Sequence, residues 1–84
     1  MKYVVSLMFD KCPEVKNETY PTLKEAMHRF NVARMNPSVV EWVAISIGAW
    51  GFLIEWDNYH GIEMFRDCDE TIVEEALEFI NENA

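Results

Sequence analysis

Residues 39–66 read VVEWVAISIGAWGFLIEWDNYHGIEMFR. Three runs of β-branched and aromatic residues, separated by turn residues at 48–51 and 57–61, predict an antiparallel meander with strands over residues 39–47, 52–56 and 62–66. Because side chains alternate along a strand, one side of the meander should be covered by helices and the other should face outward. We expect the covered side to carry Val43, Ile45, Phe52, Ile54 and Ile62. We expect the outward side to carry Val40, Trp42, Leu53 and Phe65, together with Met8 of the first strand.

The segments on either side of this meander predict one more strand and two helices. Residues 2–9 have the composition of a strand, whereas residues 10–21, with two prolines and no periodicity, predict a loop. Residues 22–35 place apolar side chains at helical spacing after a capping-box pair, Thr22 and Glu25. Residues 67–83 predict a closing helix with Asp67 or Asp69 at its N-cap.

These elements follow one another in the order β-α-β-β-β-α. A strand, a helix and a second strand predict a parallel crossover, and the meander then continues antiparallel. The predicted fold is therefore an α/β (α+β) two-layer sandwich, with a four-stranded mixed sheet and both helices on one face. The chain has 84 residues and is half apolar, which predicts a single domain over residues 1–84.

Acidic residues dominate the composition, with 15 Asp and Glu against 7 Lys and Arg and a formal net charge of −8. Residues 1–36 carry six basic and four acidic side chains, whereas residues 37–84 carry one basic and eleven acidic side chains. Direct binding to nucleic acid or to an anionic membrane surface requires basic patches, so we expect neither. The longest largely apolar stretch, residues 42–54, is too short for a membrane span, and the first residues lack the pattern of a secretory signal. We therefore expect a cytoplasmic protein.

The predicted last helix carries a row of acids with no lysine or arginine among them. Glu70, Glu74, Glu78 and Glu82 repeat every four residues, and Glu75 lies beside them. Like charges at this spacing cost about 0.2–0.5 kcal/mol per pair. One interpretation is a solvated surface that keeps the protein soluble, and the other is a strip that binds basic groups of a protein partner. The remaining acids of the predicted partner-binding set are Glu55, Asp57 and Glu63.

Aromatic residues of the meander form the second candidate surface. Trp42 and Phe65 would anchor an exposed apolar patch on the outward side of the sheet, which is typical of a protein interface or a homodimer. Trp50, at the tip of the predicted hairpin turn, is either folded back as a lid or a contact residue. Two alternatives stay open: the face assignment is inverted, or residues 10–21 lie across the patch.

No residue pattern predicts a catalytic, cofactor or metal site. The sequence has no serine elbow, glycine-rich phosphate loop or thioredoxin-like cysteine pair. Asp57, His60 and Glu63 surround one turn, but their spacing matches no zinc or calcium motif. Cys12 and Cys68 should be two reduced thiols, although the predicted fold would allow them to pair. We expect a protein that is not an enzyme and that needs no cofactor.

Size, charge and fold class together favour a protein-interaction module. The first hypothesis is an inhibitor that binds a basic nucleic-acid-handling protein, since small acidic α/β chains include phage-encoded anti-CRISPR proteins, DNA mimics, immunity proteins and antitoxins. The second is a structural or regulatory homodimer that uses the apolar side of the sheet. The third is a small enzyme or metal-binding protein built around Asp57 and His60.

Overall fold

The computed structural model describes residues 2–48, 51–65 and 69–82 of the chain. It is a small α+β fold with a five-stranded sheet and two helices. The strands are β1 (Tyr3–Phe9), β2 (Val15–Tyr20), β3 (Val40–Ile47), β4 (Gly51–Asp57) and β5 (Gly61–Met64). The helices are α1 (Leu23–Arg34) and α2 (Glu70–Glu82). Within the described ranges, no helix is both long and apolar enough to cross a membrane.

Every pair of neighbouring strands in the sheet is antiparallel, and the strand order is β2-β1-β3-β4-β5. The predicted four-stranded mixed sheet is therefore wrong in strand number and in strand direction. The cause is β2, which lies within the predicted loop over residues 10–21 and forms a hairpin with β1. Because this hairpin reverses the chain before α1, the helical crossover connects β2 to β3, which run parallel to each other on either side of β1.

The edge strand β2 is held in place from both of its sides. Its backbone pairs with β1 along its whole length. On one side, the hydroxyl of Ser6 donates to Oδ1 of Asn17 at 2.6 Å. On the other side, Nε of Arg29 in α1 donates to Oε1 of Glu18 at 2.8 Å. Polar contacts, together with the half-buried ring of Tyr20 against the core, therefore stabilise this strand.

Both helices pack on the same side of the sheet, which we call the inner side, and the opposite side is the outer sheet face. Side chains of α1, α2 and the inner side form one continuous hydrophobic core. Met27 and Phe30 of α1 are fully buried in it, and Val73 of α2 is buried beside them. The amide of Asn31, also buried, donates to the carbonyl of Phe79 at 3.3 Å and ties α1 to α2. The two layers form a slab with extents of 35 × 26 × 20 Å.

A β-bulge near the start of β3 turns one predicted outward residue into the core. Met8 pairs with Trp42 and Phe9 pairs with Val40, so Glu41 is the extra residue between the two pairs. The extra residue shifts the alternation by one position. Val40 is consequently 3% exposed and belongs to the core, and its predicted outward placement is wrong.

A second bulge exchanges the roles of two neighbours in β4. Ile45 pairs with Ile54 and Ser46 pairs with Phe52, which leaves Leu53 as the extra residue. Leu53 is fully buried in the core, whereas Phe52 lies on the outer sheet face and is 46% exposed. The predictions for both residues are wrong, because simple alternation does not hold across a bulge.

Both predicted helices are present, and their first turns are capped by side chains. The hydroxyl of Thr22 accepts a hydrogen bond from the backbone N–H of Glu25 at 3.3 Å, which is the N-cap half of the predicted capping box. Oδ1 of Asp69 accepts the backbone N–H of Thr71 at 2.8 Å. Of the two predicted N-caps of α2, Asp69 is therefore confirmed, while Asp67 lies outside the described residues.

Candidate functional site

The helix α2 presents its glutamates to solvent because its apolar side chains face the sheet. Val73 and Ala76 are the buried residues of this helix. The exposed carboxylates, which we call the acidic face of α2, belong to Glu70, Glu74, Glu75, Glu78 and Glu82. Within the described part of the chain, none of them forms an ion pair. The last turn also lacks a basic residue, so α2 carries uncompensated negative charge even at its C-terminal end, where the helix dipole favours cations.

Three aromatic side chains, Trp42, Phe52 and Phe65, meet on the outer sheet face, and we call them the aromatic cluster. The ring centroids of Trp42 and Phe52 are 6.3 Å apart with an interplanar angle of 82°, and those of Phe52 and Phe65 are also 6.3 Å apart. Ala44 lies between Trp42 and Ser46 along β3 and has no exposed surface, which agrees with rings that lie over it. Partly exposed aromatic rings of this kind are typical anchors of protein interfaces.

Two carboxylates face each other beside the aromatic cluster. Glu55 of β4 and Glu63 of β5 are direct cross-strand partners, so their Cβ atoms lie about 5 Å apart. The indole N–H of Trp42 donates to Oε2 of Glu55 at 3.3 Å and holds that carboxylate against the ring. Neither glutamate forms an ion pair with any residue that the structure describes. Like charges directly opposite each other in a sheet destabilise it, so this pair opposes the fold rather than supporting it.

The turn between β4 and β5 borders the same surface. Oδ1 of Asp57 accepts the backbone N–H groups of Tyr59 at 2.7 Å and His60 at 2.8 Å, and Oδ2 lies 3.1 Å from Nδ1 of His60. The N–H of His60, with help from that of Tyr59 and the imidazole, holds the pKa of Asp57 below its usual range. A shallow groove of about 280 Å³ runs from this turn across the outer sheet face. Its lining is Met8, Val15, Glu41, Trp42, Asp57 and Tyr59.

The predicted partner-binding residues separate into two sets on opposite sides of the slab. The acidic face of α2 points away from the sheet, and the second set points away from the helices. The set on the outer sheet face consists of Trp42, Glu55, Asp57, Glu63 and Phe65. A flat partner surface cannot contact both sets at once, because the core lies between them. Trp50, also predicted as a contact residue, lies outside the described residues.

Phe52 is the member of the aromatic cluster that sequence reasoning placed on the wrong side. Its exposed ring bridges Trp42 and Phe65, so the cluster depends on it. The sequence carries no local signal for this bulge, because Gly51, the residue before Phe52, belongs to the predicted turn at 48–51 and the extra residue is Leu53. A bulge exchanges the two sides of the strand beyond it.

A wide groove of about 760 Å³ runs between the end of β2 and α1, and sequence reasoning missed it together with β2. Oε1 of Glu18 accepts both Nε of Arg29 and the hydroxyl of Tyr20, each at 2.8 Å. The hydrogen bond from Arg29 is the main cause that lowers the pKa of Glu18, and the same contact raises the pKa of Arg29. Because these charges neutralise each other, we assign this pair to the attachment of β2 rather than to a binding site.

No group of three or more His, Cys, Asp or Glu side chains within residues 2–48, 51–65 and 69–82 lies close enough to hold a metal ion. Asp57 and His60 contact each other, whereas Glu63 faces Glu55 instead of joining them. Cys12 is exposed and Cys68 lies outside the described residues, so their redox state stays a prediction.

Comparison of the chain with models of protein families, with curated proteins and with solved structures finds no significant match. The acidic face of α2 and the outer sheet face are therefore the two surfaces that bear on function.

Proposed function

We propose that this chain is an acidic protein-interaction module that binds a basic, nucleic-acid-handling protein and inhibits it by occupying its binding groove. The observation that carries the proposal is the acidic face of α2, whose five glutamates are all exposed and lie on one side of one rigid element. Charges carried by a helix are pre-organised, so binding to a complementary basic groove costs less conformational entropy than binding by the same charges on a flexible segment.

The spacing of these charges supports a groove that normally holds one nucleic-acid strand. At a rise of about 1.5 Å per residue, the distance along the helix axis from Glu70 to Glu82 is about 18 Å. Five carboxylates over that distance give about one charge per 4.5 Å. A single DNA strand carries one charge per about 3.4 Å, and a duplex carries one per about 1.7 Å. The acidic face is therefore close to one strand in charge density and too sparse to replace a duplex.

The energetic cost of this arrangement also supports a role in recognition. Three successive pairs at a spacing of four residues, from Glu70 to Glu82, each cost about 0.2–0.5 kcal/mol. Lysines at alternate positions would remove that cost and would keep the surface equally polar. The same net charge spread over the rest of the surface would keep the protein soluble without this cost.

The experiment compares the native chain with two variants that each lose two negative charges. Glu74→Gln with Glu78→Gln neutralises the centre of the acidic face of α2, and Glu55→Gln with Glu63→Gln neutralises the outer sheet face as a matched control. Basic proteins that the immobilised native chain retains from a cell extract are purified, and their affinities are measured by calorimetry from about 50 to 300 mM NaCl.

We expect the affinity of the native chain for the partner to fall steeply as the salt concentration rises. At one salt concentration, the α2 variant should bind more weakly than the native chain, and the control variant should lose less affinity. Nucleic acid should compete with the chain for the partner. Binding that is insensitive to salt, or that both variants reduce equally, would remove the proposed mechanism. Simultaneous binding of the chain and nucleic acid to the partner would remove the inhibition by occupancy.

A further inference from the structure

We propose that the outer sheet face is a second binding surface, and that it takes an arginine-bearing segment of a protein partner between the Glu55–Glu63 carboxylates and the aromatic cluster. This inference concerns the side of the slab opposite to the acidic face of α2, and it stands or fails independently of the function proposed above.

Unbalanced negative charge lies toward the β5 edge of this face. Glu55 and Glu63 are held opposite each other by the register of β4 and β5, and no described cation pairs with either. Asp57, on the same side, is already occupied by its turn and by His60. Lys11 borders an adjoining groove at the end of β1, which shares Met8 and Glu41 with the groove on the outer sheet face, and Lys11 pairs with neither glutamate. A cation supplied by a partner would reverse the repulsion between the two glutamates.

The aromatic cluster beside these carboxylates favours arginine over lysine. The rings of Trp42 and Phe52 lie edge to face, and the same Trp42 holds Glu55 through its indole N–H. A guanidinium group is planar, stacks on aromatic rings and donates to two carboxylates from a fixed fork. An ammonium group is more strongly hydrated and lacks that fork, so it uses this arrangement less well. Ring and carboxylate side by side therefore match an arginine side chain.

The charge of this face opposes a second copy of this chain as the occupant. In a two-fold dimer the same patch lies on both subunits, so residues near the axis meet their own equivalents. A dimer whose axis passes near Glu55 and Glu63 would bring them against another Glu55 and Glu63. Four carboxylates buried together without cations oppose association, because burial of an unpaired charge is costly. A partner that brings positive charge therefore fits this face better than a second copy does.

The test uses the indole N–H of Trp42 as a reporter within the native chain. Nitrogen-15 spectra are recorded during titration with a capped pentapeptide that contains two arginines, and with a matched peptide that contains two lysines. Trp56 is the internal control, because it lies on the inner side of the sheet and packs against the core. The indole signals are assigned with Trp→Phe variants.

We expect the arginine peptide to shift the Trp42 indole signal saturably and to leave that of Trp56 in place, with a Kd at least about threefold lower than that of the lysine peptide. Glu55→Gln with Glu63→Gln should raise the Kd at least about tenfold. Gln keeps an acceptor for the Trp42 N–H, so this variant should retain the cluster. Glu74→Gln with Glu78→Gln, the matched control on α2, should change the Kd less than about twofold.

Three results would overturn the inference. The first is the absence of a saturable shift at Trp42, and the second is an equal response to the lysine peptide. The third is a dimer in sedimentation equilibrium that Trp42→Ala dissociates, since a second copy would then be the occupant. None of these results bears on the acidic face of α2, so failure here is distinguishable from failure of the proposed function.

Discussion

Truncation of two neighbours in β4 tests the bulge on which the aromatic cluster depends. Leu53→Ala removes three carbons from a fully buried side chain, a loss of about 2.4 kcal/mol of transfer free energy, and the cavity left behind raises the cost to about 3 kcal/mol. Phe52→Ala removes a ring that is 46% exposed. The loss of the buried half of this ring and of part of its contacts with two other rings should lower the free energy of unfolding by about 1.5 kcal/mol. Alternation without a bulge predicts the opposite order.

Urea denaturation followed by far-ultraviolet circular dichroism measures the two free energies of unfolding. Tryptophan fluorescence is unsuitable, because Phe52 contacts Trp42 and its removal changes the signal directly. A domain of this size has a total stability of about 4–13 kcal/mol, so Leu53→Ala can fail to fold. If Leu53→Ala fails to fold while Phe52→Ala folds, the loss of stability is again larger for Leu53→Ala, as the bulge predicts. A loss in Phe52→Ala that equals or exceeds the loss in Leu53→Ala would refute the bulge and, with it, the aromatic cluster.

Three further predictions concern charged side chains. Pairing with Arg29 lowers the pKa of Glu18, so the ionised Glu18 stabilises the folded protein above about pH 4.5, and this stabilisation is lost as the pH falls further. On acidification, the free energy of unfolding measured with urea should fall by up to about 1 kcal/mol more in the native chain than in Glu18→Gln. An equal fall in both would contradict this. Asp57→Ala removes the acceptor for two turn amides, which should then exchange hydrogen at least about tenfold faster, whereas Asp57→Asn should keep most of the protection. Glu78→Lys should raise the free energy of unfolding by about 1 kcal/mol, because it converts two repulsive pairs on α2 into attractive ones; a decrease would show that this glutamate has a stabilising contact.

The two helices and the three strands of the meander were predictable, because each carries its own periodic or β-rich pattern. The stripe that includes Met27 and Phe30 lies on one side of α1, and the capping residues mark where the helices begin. Such signals depend on residues that are close together in the sequence, so they can be recognised without knowledge of the fold.

The strand β2 was not predictable from hydrophobic pattern, because Tyr20 is its one apolar side chain that packs against the core. Its sequence, VKNETY, contains no fully buried residue, and it is stabilised by backbone pairing and by distant partners such as Ser6 and Arg29. Without β2, the sequence predicts that the helical crossover joins β1 to β3, and these two strands are then wrongly predicted to be parallel. An edge strand can be polar on both sides, since only its backbone must be satisfied.

The outer sheet face was predicted in outline and wrong in detail. Trp42 and Phe65 were placed outward correctly, but the two bulges exchanged Phe52 with Leu53 and turned Val40 inward. A bulge is fixed by the register between strands, which is a property of pairs of segments rather than of one segment. The opposition of Glu55 and Glu63 has the same origin, because it follows from the register of β4 with β5.

The separation of the two acidic surfaces by a slab 20 Å thick has a consequence for assembly. At a separation of 20 Å, two unit charges interact by only about 0.2 kcal/mol at the dielectric constant of water, so a charged occupant on one side acts weakly on an occupant on the other. The surfaces also point in opposite directions, so their ligands do not collide. The two proposed binding surfaces would therefore allow one molecule to bridge two basic partners in a ternary complex, with each contact formed and broken on its own.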